Sequence, residues 1–433
     1  MGSYRVEPGG RIAGEATVPG DKSISHRALM LGAIASGRSR ISGFLEGEDC
    51  LATLAAIQRL GASVQRPSPA TVIVDGAGLR GLAAPQGELD MGNAGTAMRL
   101  FMGLLSGQRF DSVLIGDASL MRRPMERVAA PLRLMGASIS TSDGHPPVRI
   151  TSGPPLRGIR YEMPVASAQV KSALLLAGLY ADGPTTVLEP ALTRDHSERM
   201  LQSFGCDVTS RRGEVVLQPP DMLRATDVEV PGDFSSAAFL IVAGCIAARE
   251  PCMIRGVGVN PTRTGLLEIL ALMGADLRLL NHRSLGSEPV ADIEVRPAML
   301  RGVVVPERLV PLAIDELPAV FIAAACAGGE TVVTGAGELR VKESDRIATM
   351  AQGLGRIGVA CDVLPDGIRI AGGAIGGGIV DSCGDHRVAM SFAVAGLRAS
   401  EPIEILDTDN VATSFPGFAA LSRAVGMCLE ERA

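Results

Sequence analysis

Leu272-Met273-Gly274-Ala275 closes an amphipathic segment with a glycine and leads into a short β-like run. The phrase returns as Arg59-Leu60-Gly61-Ala62, Leu134-Met135-Gly136-Ala137, Ser203-Phe204-Gly205-Cys206, Arg356-Ile357-Gly358-Val359 and Ala424-Val425-Gly426-Met427. Successive glycines lie 75, 69, 69, 84 and 68 residues apart. A glycine just past the last apolar turn ends a helix because it takes a positive φ without a steric penalty. Some 40 residues before each glycine stands a short polar residue able to cap a helix start: Asp21, Asn93, Ser167, Asp233, Asp315 and Asp385. An Ala/Leu/Met-rich helical segment follows, such as Ser172-Ala173-Leu174-Leu175-Leu176-Ala177-Gly178. A β-rich run comes next, such as Thr185-Thr186-Val187-Leu188, and then the second helix. Each repeat reads β-α-β-α-β-β over about 70 residues, an α/β class of fold.

Six repeats are too many for one core, so two domains of three repeats are expected. The first cap falls at residue 21, which assigns residues 21–230 to one domain and residues 1–20 plus 231–433 to the other. A strand before residue 20 would then complete the last repeat. Both crossings carry Pro-Gly, at Pro19-Gly20 and Pro231-Gly232, which suits a hinge.

Composition narrows the partners. The 433 residues are 46% hydrophobic and 20% charged, a globular balance. Aromatics reach only 3% and the net charge is −6, against a base-stacking or generally basic nucleic-acid surface. The longest apolar run, Phe239 to Ala248, is far short of a bilayer span, and no signal peptide is visible. A soluble, cytoplasmic protein without membrane contact is expected. The eight cysteines are scattered without CxxC spacing, which suggests buried free thiols and no zinc site.

The helix starts carry the chemistry. A helix N-terminus favours anions through its free N–H groups and dipole. Here the first reads Gly20-Asp21-Lys22-Ser23-Ile24-Ser25-His26-Arg27, so Lys22, Ser23 and Arg27 can meet one anion. The second reads Gly92-Asn93-Ala94-Gly95-Thr96-Ala97-Met98-Arg99, where Gly95 lets a ligand approach the backbone. The third reads Ala166-Ser167-Ala168-Gln169, and the sixth Gly384-Asp385-His386-Arg387. Met121-Arg122-Arg123-Pro124 and Arg340-Val341-Lys342-Glu343-Ser344-Asp345-Arg346 add cations. Each has a structural reading when taken singly. Ser167 and Gln169 can be a capping pair, Asp315 an N-cap before Pro318, His386 a satisfied histidine, and Lys342 to Arg346 a solvated helix face. Jointly, equivalent helix starts point to a cleft for small, highly anionic substrates. Gly76-Ala77-Gly78-Leu79-Arg80-Gly81 matches a dinucleotide fingerprint, but Pro85 and Gly87 leave no room for the helix it needs. Gly20-Asp21-Lys22-Ser23 fails as a P-loop because Asp21 stands where glycine is required.

Together, Asp21 to Arg27, Gly92 to Arg99, Ser167 to Gln169, Arg194-Asp195-His196, Lys342 to Arg346 and Asp385 to Arg387 resemble the EPSP synthase (3-phosphoshikimate 1-carboxyvinyltransferase) family over nearly the whole chain. The resemblance implies a two-domain inside-out α/β barrel of six βαβαββ repeats, the enolpyruvyl-transferase fold. It implies transfer of the enolpyruvyl group of phosphoenolpyruvate to the 5-hydroxyl of shikimate 3-phosphate, without metal or cofactor. Lys22, Ser23, Arg27, Ser167, Ala168, Gln169, Arg194, Asp315 and Lys342 would hold shikimate 3-phosphate. Lys22, Gly95, Arg123, Gln169, Arg346 and Arg387 would hold phosphoenolpyruvate. Asp315, helped by Lys22, would act as base and Glu343 as acid. The family further implies inhibition by glyphosate, and a monomer is the default. Thr413-Ser414-Phe415-Pro416 lacks the lysine many members carry before it, and Ala168 stands where many have a second serine. With Asp117-Ala118-Ser119-Leu120 these variants lean towards the class II branch. Two alternatives are a UDP-N-acetylglucosamine enolpyruvyl transferase and a non-catalytic repeat scaffold. The first lacks its loop cysteine here, since none lies between Cys50 and Cys206; the second leaves the clustered cations unexplained.

Overall fold

All six cap glycines adopt left-handed backbone in the computed structural model, which describes residues 2–432; their φ values lie between 78° and 105°. The same hydrogen bonds accompany each. Gly61 N–H bonds to the Gln58 carbonyl and Ala62 N–H to that of Ile57. Gly274 N–H reaches Ala271 and Ala275 N–H reaches Leu270, so the orphan carbonyls of the last turn are satisfied. These glycines end the second helices of the repeats, among them Glu48–Arg59, His196–Ser203, Gly265–Leu272 and Arg346–Arg356.

The first helices are largely apolar and are buried on nearly all sides. Every residue of His386–Ala395 is buried, as is Lys22–Ile34 from Ile24 onward. Lys22–Ile34, Gly95–Ser106 and Ala168–Gly178 share one core, and Phe234–Ala247, Leu317–Ala325 and His386–Ala395 share another. A Cβ on Gly103 would lie 2.1 Å from the Ala173 carbonyl oxygen, so glycine is what lets the second and third helices touch backbone to backbone.

Each repeat has its own sheet. In the second repeat Leu89–Asp90 runs parallel to Ser112–Ile115, which is antiparallel to His145–Thr151, itself antiparallel to Ser138–Ser142. The third repeats this order with Arg160–Glu162, Thr185–Leu188, Glu214–Leu217 and Val208–Arg211. The first repeat borrows its outer parallel strand, Val228–Glu229, from the far end of the segment. The fifth sheet has three strands, and its outer strand survives only as bridges at Arg301–Gly328 and Val304–Val332.

The chain divides into two units. One comprises Gly20–Val230 and Leu285–Glu288; the other takes the chain up to Pro19, Pro231–Ser284 and everything from Pro289 on. The segment before residue 20 holds two strands, where one was expected. Ser3–Val6 lies between Ile403–Leu406 and Leu429–Arg432 in the last repeat. Glu15–Thr17 instead supplies the outer parallel strand of the fourth, beside Cys252–Gly258.

Other expectations need correction. Asn93 is not the cap of the second helix: Ala94 is, and the Asn93 amide is drawn to Asp117 and Arg123. Asp315 is not the cap of Leu317–Ala325, which starts after Glu316. Cys383 and Cys428 are exposed, not buried, since both sit at surface turns or strand ends. The Phe239 to Ala248 run falls in a 14-residue helix, and no helix of the described residues is long and apolar enough to cross a membrane. No helix follows Gly76 to Gly81; a Cβ on Gly76 would lie 2.2 Å from the Ala35 carbonyl oxygen, so that glycine serves packing.

Two glycines separate backbone strain from steric exclusion. Gly358 has φ +78 with no atom near its missing Cβ, so Gly358→Ala should cost about 1–2 kcal/mol from conformation alone. Gly103→Ala must move a neighbouring backbone and should cost about 3 kcal/mol or more. Denaturant midpoints of the two variants check the order.

Candidate active site

In the unit holding Gly20–Val230 the site residues meet at the starts of the three buried helices. Asp21 caps the first by accepting from Ile24 N–H at 2.9 Å. Lys22 follows, with Nζ 2.6 Å from Asp49 Oδ2. Arg27, one turn on, is buried and bonds only to neutral acceptors: Nε to Ser197 Oγ at 2.7 Å, Nη2 to Ser172 Oγ at 2.8 Å and Nη1 to the Ser23 carbonyl at 2.9 Å. Among the described residues no carboxylate forms an ion pair with it. Burial pulls its pKa down to about 10, with Glu198 the strongest opposing charge and Arg194 adding to the depression.

The second and third helix starts are tied together. Gln169 accepts from Arg99 Nη1 at 2.9 Å and donates to Thr96 Oγ1 at 3.0 Å. Ser167 caps its helix by accepting from Val170 N–H at 3.4 Å, and Ala168 opens that helix. Arg122 is exposed but Arg123 is buried, donating to the Asn93 carbonyl at 3.2 Å, to Asn93 Oδ1 at 2.5 Å and to Ser119 Oγ at 3.2 Å. Gly95 lies under these cations. A Cβ there would sit 3.0 Å from Arg123 Nη1 and 3.1 Å from Arg99 Nη1.

The second unit holds the remaining predicted residues, centred on Arg346. A solvated helix face, the reading of this run taken singly, does not hold for it, since it is only 1% exposed. Its Nε lies 2.8 Å from Asp385 Oδ2, Nη2 lies 2.5 Å from Glu343 Oε2, and Nη1 lies 3.4 Å from Asp315 Oδ1. Burial opposes its charge, but Asp385, Glu343 and Asp315 more than offset this and hold its pKa above the usual arginine value. Lys342 Nζ sits 3.4 Å from Asp315 Oδ1, and Arg387 Nη1 donates to the Asp315 carbonyl at 2.8 Å. The Asp315 side chain is therefore engaged by two cations rather than by a helix end.

Three contributors escaped the sequence reading: Asp49, Arg99 and Asp385 as an ion-pair partner. Asp49 comes from the following helix, 27 residues after Lys22, and no local pattern marks it. Arg99 was visible as a cation one turn beyond Gly95, but its role needed Gln169, 70 residues away. Asp385 was visible only as a cap, in which role it accepts from Arg387 N–H at 2.9 Å; the same carboxylate also grips Arg346.

Buried cations at the helix starts of one unit, and Arg346 held among three carboxylates in the other, are the chemistry of an enzyme that handles small anionic substrates. The family model for EPSP synthase (3-phosphoshikimate 1-carboxyvinyltransferase) matches residues 6–421. Proteins named 3-phosphoshikimate 1-carboxyvinyltransferase from Methylococcus capsulatus and Halorhodospira halophila are 57% and 59% identical over 428 and 430 residues, covering 99% of this chain and 98% and 97% of theirs. The solved EPSP synthase of Acinetobacter baumannii superposes with a TM-score of 0.89 at 52% identity, covering 100% of both chains. The chain belongs to the EPSP synthase family.

Burial, then the charges of Lys22 and Arg27, hold the His26 imidazole well below its ordinary pKa. The folded protein therefore keeps His26 neutral, while the unfolded chain takes up a proton below about pH 6.5. Stability from this group is complete above that pH and falls below it, by at most about 1.4 kcal/mol per pH unit. The ring-nitrogen resonances of His26 should accordingly stay those of a neutral imidazole from pH 8 to about pH 5.5; a transition near pH 6.5 would contradict this.

Proposed function

We propose that the chain transfers the carboxyvinyl group of phosphoenolpyruvate to the 5-hydroxyl of shikimate 3-phosphate, releasing phosphate, as the cytoplasmic, monomeric EPSP synthase of the shikimate pathway. The observation that carries this is Arg27, a buried guanidinium bonded only to neutral acceptors, in a chain nearly 60% identical to enzymes of that name. A cation kept out of water without a direct counter-ion favours an anionic ligand. Both substrates carry a phosphate and a carboxylate. Lys22, Ser23, Arg27, Ser167, Ala168, Gln169, Arg194, Asp315 and Lys342 bind shikimate 3-phosphate, and Lys22, Gly95, Arg123, Gln169, Arg346 and Arg387 bind phosphoenolpyruvate.

Asp315, aided by Lys22, takes the hydroxyl proton as the oxygen attacks C2 of the enol. Glu343 gives a proton to C3, which leaves a tetrahedral intermediate at C2. Loss of a proton from C3 then expels phosphate and restores the double bond. In the free protein Glu343 is bound to Arg346 at 2.5 Å, so the acid role begins when the incoming anion takes over that guanidinium. Arg123, Arg346 and Arg387 stabilise the phosphate as its charge grows.

The test is phosphate release with both substrates present. Turnover with shikimate 3-phosphate is expected, and turnover only with UDP-N-acetylglucosamine would overturn the assignment. Asp315→Asn and Glu343→Gln should each lower kcat by about 10²–10⁴, the usual range for a lost general acid or base. A kcat near that of the parent in either variant would remove that residue from its role.

Glyphosate competes with phosphoenolpyruvate at Gly95. A methyl group at this position presses on the ends of Arg123 and Arg99. Gly95→Ala should raise the glyphosate concentration for half-inhibition by about tenfold or more, the scale of one added methyl in a tight pocket. An unshifted inhibition curve would sink this contact.

A further inference from the structure

Two helices of the Gly20–Val230 unit carry buried polar groups to which the mechanism above gives no part. Lys171 and Ser172 lie in Ala168–Gly178; Ser197 and Glu198 lie in the first turn of His196–Ser203. All four are buried, and the two hydroxyls bond to Arg27.

The hydroxyls fix the guanidinium. Arg27 Nε donates to Ser197 Oγ at 2.7 Å, Nη2 donates to Ser172 Oγ at 2.8 Å, and Ser197 Oγ–H donates to Ser172 Oγ at 2.7 Å. With the bond from Nη1 to the Ser23 carbonyl, each guanidinium nitrogen makes one hydrogen bond. One N–H remains on each terminal nitrogen, and a carboxylate or phosphate accepts such N–H groups two at a time.

The counter-charge stands one residue further off. Lys171 Nζ lies 2.6 Å from Glu198 Oε1 and 3.0 Å from Glu189 Oε2, so two carboxylates share one ammonium. Of the two, Glu198 is the stronger charge acting on Arg27, and it does so without an ion pair. Burial pushes the Glu198 carboxyl pKa up, and Lys171 opposes that rise. A direct ion pair on Arg27 would have to be broken before a ligand could bind, and breaking buried pairs is costly. Neutral hydroxyls avoid that obstacle.

We propose that Ser172 and Ser197 are positioning residues that hold the Arg27 guanidinium for an anionic group of shikimate 3-phosphate, with Glu198, held on Lys171, as its remote counter-ion. This rests on the assignment of Arg27 to shikimate 3-phosphate made above.

The test uses the full-length protein, with calorimetric binding of shikimate 3-phosphate and steady-state kinetics for both substrates. Ser197→Ala and Ser172→Ala should each weaken that binding about tenfold, the scale of one hydrogen bond to a charged group. The KM for phosphoenolpyruvate at saturating shikimate 3-phosphate should stay within about twofold, which general damage to the fold would not permit. Ser197→Thr keeps the hydroxyl, and Ser197 borders a small void shared with Arg27, Met30, Leu31, Leu176 and Leu201. It should recover most of the lost affinity. Parental affinity in both alanine variants, an equal rise in both KM values, or no recovery with threonine would overturn the proposal. Arg27→Ala separates the two levels: undiminished binding there would remove the assignment of Arg27 itself, whereas loss there with parental affinity in both serine variants would remove only their positioning role.

Discussion

A guanidinium taken out of water must be answered by charge or by dipoles, and the two units of this protein answer differently. Arg27 is answered by a carbonyl and two hydroxyls, with carboxylates held back on Lys171. Arg346 is gripped by Asp315, Glu343 and Asp385. The first arrangement keeps a cation available to a ligand. The second stores carboxylates beside a cation, where an arriving anion changes their surroundings. Arg27 lies in a helix buried from Ile24 onward, whereas Arg346 opens a partly exposed helix and is buried against Asp385, the cap of a fully buried one.

The repeat architecture supplies those helices. A βαβαββ repeat can cover its apolar first helix only by packing it against the first helices of its neighbours, and three such helices make one core. The closeness of that packing reaches the site. Gly103 allows Gly95–Ser106 to meet Ala168–Gly178 at the backbone, and the same two helices carry Thr96, Arg99 and Gln169, which hydrogen-bond across their starts. Strand exchange within a unit completes the sheets. Val228–Glu229 joins the first repeat, and Ser3–Val6 and Glu15–Thr17 join the last and the fourth.

Much of this is written locally. A helix ending in glycine is decided by one residue's φ, so all six ends were legible, as were the caps at Asp21, Ser167, Asp233 and Asp385. Asn93 and Asp315 looked like caps by the same rule but are held by side chains far along the chain: Arg123 in one case, Lys342 and Arg346 in the other. Competition from non-local charges overrides a cap's single hydrogen bond. The motif residues were legible as types at positions, whereas their partners were not. Asp49, Arg99, Ser172 and Ser197 each gain meaning from a residue at least 24 positions away, which no periodicity reports. The two-residue strand Val228–Glu229 is invisible for a related reason, since its pairing with Ser36–Ser42 joins opposite ends of the segment.

In the proposed mechanism the carboxylates on Arg346 link binding to proton transfer. Asp315 and Glu343, the proposed base and acid, are held by one guanidinium through separate nitrogens, Nη1 at 3.4 Å and Nη2 at 2.5 Å. A phosphate accepting from that guanidinium competes with Glu343 for Nη2 and places negative charge beside it. Both effects favour the protonated carboxyl, the form a general acid needs. Asp315 retains Lys342 at 3.4 Å and, through its backbone, Arg387, so the same event leaves the proposed base held in place. On that proposal one cation separates two like groups into opposite roles once the anionic substrate is bound.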